Sequence, residues 1–190
     1  MKDRFIGLLR ETERPGTENV ITYLSEKTDF FTAPASTQYH GAKEGGLLEH
    51  SLAVYDNLLK LSPLYLPEAK PDSITITALL HDLCKVNFYK VEMRNKKDPI
   101  VDGKQLTGWH SLPYYAIENQ IPLGHGEKSV ILLQQMIRLN LEEVMAIRWH
   151  MGLSDTDYAT RQVMSKAFNE HPLAVALHFA DLAACYLDKK

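Results

Sequence analysis

The stretch ITALLHDLCK, residues 76–85, decides how the rest of the chain is interpreted. Most of its residues are apolar or small, so it predicts a mostly buried helix with His81 and Asp82 in its middle. A buried carboxylate is costly unless a cation or several hydrogen-bond donors compensate it. The stretch therefore raises the question of which group pairs with Asp82.

Composition places the chain among ordinary folded proteins. Its 190 residues are 45% hydrophobic and 24% charged, which suits one domain with a substantial core. The formal net charge of −3 gives no reason to expect a broad surface for nucleic acid or membrane. Two cysteines are too few for a disulfide framework and favour a reducing compartment. With no signal peptide or membrane-spanning run recognised, a cytoplasmic protein is predicted.

Helical periodicity recurs along most of the chain. Pro63 is expected to end one helix, Thr17 to cap another, and Ser73 to cap the helix that contains the opening stretch. Residues 29–46 are rich in small residues and predict a loop. The longer helices are predicted at residues 47–61, 127–139, 141–151, 155–168 and 172–187.

Residues 88–122 interrupt this helical pattern. They alternate weakly and contain Asp102-Gly103, Gly108 and Pro113, which predicts a hairpin or another ordered excursion. The predicted architecture is a single all-α domain over residues 1–190. It is a helical bundle with an N-terminal helical extension at 1–29 and a small irregular or β-hairpin insertion.

Five polar residues stand on apolar helices: His50, His81, Asp82, His150 and Asp181. A histidine in a core commonly bonds a backbone carbonyl, but a buried aspartate needs a cation or several donors. Few lysines or arginines lie in these stretches, so imidazoles and a metal ion are the remaining candidates. Neutral imidazole and carboxylate together suit a divalent transition metal, and helical bundles build such sites from separate helices. The sequence therefore predicts a metal site around Asp82.

The order of these residues resembles that of a known family. His50, His81-Asp82 and Asp181 follow the pattern H…HD…D of the HD superfamily of metal-dependent phosphohydrolases. The sequence APASTQYHGAKEGGLLEHSLAV, followed by ALLHDLCK, is similar to the HD domain of bacterial 3′-to-5′ exoribonucleases. GHGEKS, RWHMG and HFADLAA follow in the order expected of that branch, so the resemblance covers residues 30–187.

The resemblance implies a helical fold that hydrolyses phosphate esters. It implies that His50, His81, Asp82 and Asp181 bind a first divalent ion, which could be Mn, Fe, Ni, Co, Zn or Mg. Asp82 is then expected to be catalytic, either by bridging two ions or by orienting the attacking water. Whether the site holds one or two ions is left open.

Further implied residues lie around this set. His125 and His150 match positions that hold a second ion in the two-metal branches. Lys85 matches a lysine that faces substrate phosphate, which predicts a catalytic and substrate-binding role; the alternative is a solvated cation at a helix end. The chain departs from its relatives at Cys84, where they usually have glycine. It also has Met151 after His150, where some two-metal relatives have a second histidine.

Other residues keep two interpretations. Cys84 could reach the ion or be a small buried apolar group. His40 and His178 are candidate substrate-binding residues, and packing is the alternative for His178. An aromatic set in the insertion could stack on a base or simply pack: Trp109, Tyr114 and Tyr115.

The predicted function is metal-dependent hydrolysis of a phosphate ester of a nucleotide or another small phosphorylated substrate. One alternative is a single-strand 3′-5′ exonuclease or a cyclic-dinucleotide phosphodiesterase. Only about thirty residues precede the loop, too few for the OB-fold of the exoribonucleases, so long nucleic acids are not favoured. Another alternative is a catalytically silent HD module that binds a nucleotide or a protein. No membrane partner is expected, and the oligomeric state is left open.

Overall fold

The computed structural model describes residues 1–38, 41–101, 103–152 and 158–188. Helices dominate these residues, which confirms the all-α prediction. They are α1 (Lys2–Glu11), α2 (Thr17–Glu26), α3 (Gly46–Tyr65), α4 (Pro71–Leu80), α5 (His125–Gln134), α6 (Leu141–Trp149), α7 (Tyr158–Glu170) and α8 (Pro172–Tyr186).

Helix α4 is the centre of the bundle. It packs against α1, α3, α6 and α8, and every residue from Ser73 to Leu80 is buried. Such a helix is apolar all round because it has no solvent face. The residues that follow its C-terminus therefore lie in the interior of the protein.

The N-terminal helices belong to the same core. Phe5 and Leu9 of α1 are almost fully buried, and the Phe5 ring lies 5.0 Å from that of Phe30. The segment between α1 and α2 is also held, because Arg14 bonds the carboxylate of Glu143 on α6. Residues 1–29 are thus integrated into the bundle by both apolar and charged contacts.

The prediction that Pro63 ends its helix is wrong, because α3 continues to Tyr65. Proline has no N–H group and leaves the carbonyl one turn earlier without its usual donor. Here the hydroxyl of Ser62 donates to the Leu59 carbonyl oxygen at 3.1 Å. This local substitute lets the helix pass through the proline.

The predicted caps at Ser73 and Thr17 are also wrong. Helix α4 starts earlier, with Pro71 in its first turn, where a missing N–H costs nothing. The Ser73 hydroxyl instead donates to Glu143 at 2.6 Å in a buried network. Thr17 is the first residue of α2, after Gly16.

The insertion is a two-stranded antiparallel ribbon, as expected for residues 88–122. Strand β1 (Tyr89–Lys97) pairs with β4 (Trp109–Ile117), and a short pair, β2 (Ile100–Val101) and β3 (Lys104–Gln105), forms its outer end. Apolar side chains on it are exposed, including 71% of Trp109. None of the helices in the described ranges is both long and apolar enough to cross a membrane.

Candidate metal centre

His81 and Asp82 lie at the end of a helix, and the prediction that they occupy its middle is wrong. Helix α4 ends at Leu80, His81 follows it, and Asp82 precedes a single 3-10 turn at Leu83–Lys85. This abrupt end turns both side chains inward from one point. The two residues are 0% and 2% exposed.

His81 is oriented by the backbone of its own helix. Its Nδ1 lies 2.9 Å from the carbonyl oxygen of Ala78, which can only accept, so Nδ1 carries the proton and donates. In the neutral ring this leaves a lone pair on Nε2. A hydrogen bond of this kind on the other ring nitrogen is the usual support for a metal-binding histidine.

His150 follows α6 and is oriented in the same way. Its Nδ1 lies 2.7 Å from the carbonyl oxygen of Ile147 and donates to it. Its Nε2 is fully buried and makes no hydrogen bond within the described part of the chain. A buried polar atom without a hydrogen bond is uncommon in folded proteins, and this one has a lone pair available to a cation.

His50 from α3 and Asp181 from α8 complete the inner part of the site. His50 Nε2 lies 3.1 Å from Asp181 Oδ1 and 3.3 Å from His81 Nε2. The structure therefore brings together the four residues expected at a first ion, from helices α3 and α8 and from the two residues that follow α4.

The two oxygens of Asp82 face different neighbours. Oδ2 lies 3.4 Å from His81 Nε2 and 3.6 Å from His50 Nε2. Oδ1 lies 3.4 Å from His150 Nε2 and 3.9 Å from Cys84 Sγ. Each oxygen of Asp82 thus has its own neighbours, and His150 also lies within ligand range of His81 and Asp181.

Lys85 is the direct ionic partner of Asp82. Its Nζ lies 2.7 Å from Asp82 Oδ2, and its side chain is only 15% exposed, so the solvated alternative is wrong. The 3-10 turn brings residue 85 back over residue 82, and an intact helix is not needed for the contact. A cation that compensates Asp82 therefore lies within residues 76–85 themselves.

These contacts keep Asp82 ionised. Burial by itself would raise the pKa of Asp82, but the Lys85 ammonium and the His81 and His150 imidazoles hold that pKa well below its usual value. For Asp181, burial is likewise outweighed by the hydrogen bond from His50 and by the nearby imidazoles, so its pKa is lowered. The site therefore contains two buried, negatively charged carboxylates.

His125, the first residue of α5, approaches from the other side of Asp82. Its Nδ1 lies 3.3 Å from Cys84 Sγ, and the backbone N–H of Cys84 donates to Ser129 Oγ on α5 at 3.0 Å. A side chain at Gly126 would collide with the Arg148 carbonyl of α6, so glycine permits this close helix crossing. Burial raises the pKa of the Cys84 thiol to about 12.

The remaining predicted residues lie further out or outside the described ranges. His178 donates from Nδ1 to the His150 carbonyl oxygen at 2.6 Å, so it supports the segment that carries this candidate ligand. His40 lies outside the described residues. Adjacent residues of a strand point to opposite faces, so Tyr114 and Tyr115 do not form one cluster with the exposed Trp109.

Two residues near the site were missed by the sequence analysis. The Tyr89 hydroxyl donates to the Ala35 carbonyl oxygen. Burial outweighs the opposing effect of the Lys85 charge and raises the pKa of Tyr89 to about 12. Lys128 is 5% exposed, lies over the Phe88 ring, and has its pKa lowered by burial. Neither has a local sequence signal, because a tyrosine in a strand and a lysine in a helix are ordinary residues there.

The donors fit a divalent transition metal. Neutral imidazole nitrogens and carboxylate oxygens are its common protein ligands, and the unbonded Nε2 of His150 is positioned for one. In each of four groups, the potential ligand atoms lie within 4.8 Å of one another. The groups are His50–His81–Asp82, His81–His150–Asp181, Asp82–Cys84–His125 and His50–Asp181–Cys185.

The family model of the HD domain matches residues 47–183, well over half of the chain. The chain belongs to the HD domain family. The match confirms the superfamily predicted from the order H…HD…D. It extends from α3 to α8 and includes all four residues of that pattern: His50, His81, Asp82 and Asp181. The narrower resemblance to the HD domain of exoribonucleases is not confirmed.

This HD protein is similar to the dihydroneopterin 2′,3′-cyclic phosphate phosphodiesterase of Methanocaldococcus jannaschii. The two are 44% identical over 61 residues, which are 30% of this chain and 24% of that protein. The chain therefore matches about a quarter of the relative's length. No solved structure shows a significant match to it.

Proposed function

We propose that this HD protein is a metal-dependent phosphohydrolase that cleaves a phosphate ester of a nucleotide or another small phosphorylated compound. One observation carries the proposal: an ionised, buried Asp82 with imidazole nitrogens 3.4 Å from each of its oxygens. Membership of the HD family supports it, as does the activity for which the relative from Methanocaldococcus jannaschii is named.

His50, His81, Asp82 and Asp181 would hold the first ion. His81 is fixed by its bond to Ala78, and His50 by its contact with Asp181, so little reorganisation is needed to bind a cation. When bound, a divalent ion supplies Lewis-acid polarisation of a phosphoryl oxygen and makes a water molecule more acidic.

Asp82 would orient the attacking water. Because its pKa is held well below the usual value, it stays ionised and accepts a hydrogen bond from water. The same low pKa makes it a poor proton donor for the leaving group. Its role is therefore to hold charge and direction in a site from which most water is excluded.

Lys85 would neutralise the charge that develops on the phosphoryl group. Its ammonium is next to Asp82. Burial by itself would lower the pKa of Lys85, but the Asp82 carboxylate outweighs burial and leaves that pKa raised, so Lys85 remains a cation. Its side chain retains 15% exposure, which gives it access to a phosphate that enters from solvent. A fixed cation that interacts with the transition state is a common source of catalysis.

The substrate would carry an aromatic group. Tyr89 lies where β1 leaves the site, and its ring is 6.4 Å from Tyr115 and 5.1 Å from Phe88. Nucleobases stack on aromatic side chains, and every base can do so because each has a π-face. The archaeal relative is named for a cyclic phosphodiester of a pterin, so cyclic phosphodiesters of small ring compounds belong in the first test.

The test is a substrate screen with metal-stripped protein to which Mn²⁺, Co²⁺, Ni²⁺, Zn²⁺ or Mg²⁺ is returned. The panel holds 5′- and 3′-mononucleotides, 2′,3′-cyclic nucleotides, cyclic dinucleotides and short single-stranded RNA. We expect a small phosphate ester to be hydrolysed, chelator to stop the reaction, and Asp82→Asn to be inactive. Nucleotide binding without product under every metal would favour the silent module instead.

A further inference from the structure

Cys84 lies on the side of Asp82 away from the first ion's expected ligands. Its Sγ is 3.9 Å from Asp82 Oδ1 and 3.3 Å from His125 Nδ1. His50 and His81 contact the other oxygen, Oδ2. A sulfur atom therefore lies beside the Asp82 oxygen that a second ion would use.

The expected ligands for a second ion are few. Asp82, His125 and His150 offer three protein atoms, and the residue after His150 is Met151, whose thioether is only a weak acceptor. Divalent transition metals commonly take four ligands in proteins. A further protein donor beside Asp82 Oδ1 would complete such a set.

Cys84 is held in position for this role. It is 2% exposed, and its backbone N–H bonds Ser129 on α5, the helix that begins with His125. The turn that carries it starts at Asp82 itself, so the carboxylate and the sulfur are fixed by one short piece of backbone, and the bond to Ser129 joins that turn to the helix of His125.

His150 provides an independent observation. Its side chain is 0% exposed, its Nε2 has no hydrogen bond among the described residues, and that atom lies 3.4 Å from the same Oδ1. A purely apolar packing role for Cys84 accounts for its burial. It does not account for the unbonded Nε2 of His150 beside Asp82 Oδ1, or for potential ligand atoms of Asp82, Cys84 and His125 that all lie within 4.8 Å of one another.

We propose that Cys84 is a sulfur ligand of a second metal ion, which it shares with Asp82, His125 and His150. Sulfur binds as the thiolate, so the S–H proton is released to solvent as the metal–sulfur bond forms. The proposal rests on the metal-dependent function proposed above only for the presence of the first ion.

The sulfur would select the metal. Thiolate ligands favour Zn²⁺, Co²⁺ and Fe²⁺, whereas Mg²⁺ and Mn²⁺ prefer oxygen. Proton release also makes binding of the second ion tighter as pH rises.

The test uses Co²⁺ as a spectroscopic probe, because a thiolate bound to it gives an intense near-ultraviolet charge-transfer absorption. Metal-stripped wild type, Cys185→Ser and Cys84→Ser are titrated with Co²⁺, and bound metal is counted by elemental analysis. Cys185→Ser shows which of the two cysteines gives the absorption, because Cys185 also approaches a carboxylate, Asp181, at 3.6 Å and belongs to a group of potential ligands with His50.

We expect two Co²⁺ per chain and the charge-transfer absorption in wild type and Cys185→Ser. Cys84→Ser should lose that absorption and about one bound Co²⁺. The absorption in Cys185→Ser identifies Cys84 even if Cys84→Ser does not fold, since one cysteine then remains. Its absence from wild type, its persistence in Cys84→Ser, or its loss in Cys185→Ser would overturn the proposal. The readout needs no substrate, so it stands or fails separately from the hydrolysis screen.

Discussion

His81 and His150 have the same position relative to two different helices. Each is the residue that follows the helix, and each donates from Nδ1 to the carbonyl oxygen three residues earlier, at 2.9 Å and 2.7 Å. Their rings lie 4.9 Å apart, and both Nε2 atoms face Asp82. A helix end normally leaves carbonyls without donors. Here these carbonyls fix the tautomer and direction of two candidate ligands.

The centre of the site predicts the effect of removing one charge. Asp82→Asn keeps the side-chain shape but leaves the buried Lys85 without its carboxylate, which should destabilise the metal-free protein by about 3 kcal/mol. Metal binding and hydrolysis should be lost as well. Urea unfolding and elemental analysis are the measurements, with the exposed Asp56→Asn as control. An Asp82→Asn protein that keeps its metal and turnover would place the site elsewhere.

Lys85 predicts a separation of catalysis from metal binding. Lys85→Gln removes the cation but no ligand, so metal content should be retained while kcat falls about 10²–10³-fold. Steady-state kinetics and metal analysis of the same preparation check this. Lys60→Gln on α3 is a suitable control, because its ammonium bonds Asn57 away from the site. A fall in metal content with unchanged kcat per bound ion would contradict the catalytic role.

The two carboxylates predict how stability depends on pH. The pKa values of Asp82 and Asp181 are both lowered in the folded protein, so the unfolded chain binds protons first as pH falls. Their stabilisation is full well above the unfolded value of about 3.9 and is lost as pH falls through the lower folded values. The free energy of unfolding of the metal-free protein should therefore drop from about pH 5 downwards.

The comparison that checks this uses Asp181→Asn. Urea unfolding between pH 7 and pH 3 should show a shallower loss of stability in this variant than in wild type. Asp56→Asn, which removes an exposed ion pair with Arg4, should keep the wild-type slope. Equal slopes in all three proteins would mean that Asp181 does not contribute.

The network between the N-terminal segment and α6 predicts a purely structural effect. Glu143 is 0% exposed, caps its own helix through Asn140, and accepts from both Arg14 and Ser73. Glu143→Gln removes one of the two carboxylates that pair with Arg14 and leaves the other, Asp72, at 2.9 Å, so it should cost about 2 kcal/mol in urea unfolding. Metal content should not change. The exposed Glu170→Gln should have little effect, and a similar loss there would refute the special role of the network.

Tyr89 predicts a change in substrate affinity. Tyr89→Leu should raise KM for an aromatic substrate about tenfold, since stacking contributes about 1–3 kcal/mol, while metal content stays the same. Tyr89→Phe should keep most of the affinity. Tyr114→Leu is the control, because Tyr114 bonds Glu92 on the other face of the ribbon. An equal rise in KM for a non-aromatic phosphate ester would indicate a structural effect.

Much of the site could be predicted because it depends on local patterns. Helical periodicity identified the helices, and a polar residue on an apolar helix must face the interior with a partner. That reasoning brought His50, His81, Asp82 and Asp181 together before any coordinates. The burial of Asp82 and its need for compensation follow from the sequence for the same reason.

Other features depended on where elements end and meet in space. The sequence predicted an unbroken helix through residues 76–85, whereas α4 ends at Leu80 and the next turn brings Lys85 onto Asp82. Helix ends depend on local hydrogen bonds, such as the one from the Ser62 hydroxyl to the Leu59 carbonyl oxygen beside Pro63. Hydrophobic periodicity carries no information about these bonds.

The sequence by itself determined an all-α fold with a histidine–aspartate centre, because polar residues on apolar helices are buried and need partners, and the order H…HD…D of those residues resembles the HD superfamily. Only the tertiary structure decided that Cys84 and His125 meet beside Asp82, and that its two oxygens face different ligands. Residues 84 and 125 lie on opposite sides of the insertion in the chain. Their contact depends on how α5 packs on the turn after α4, and side-chain packing between distant segments leaves no periodic trace in a single sequence.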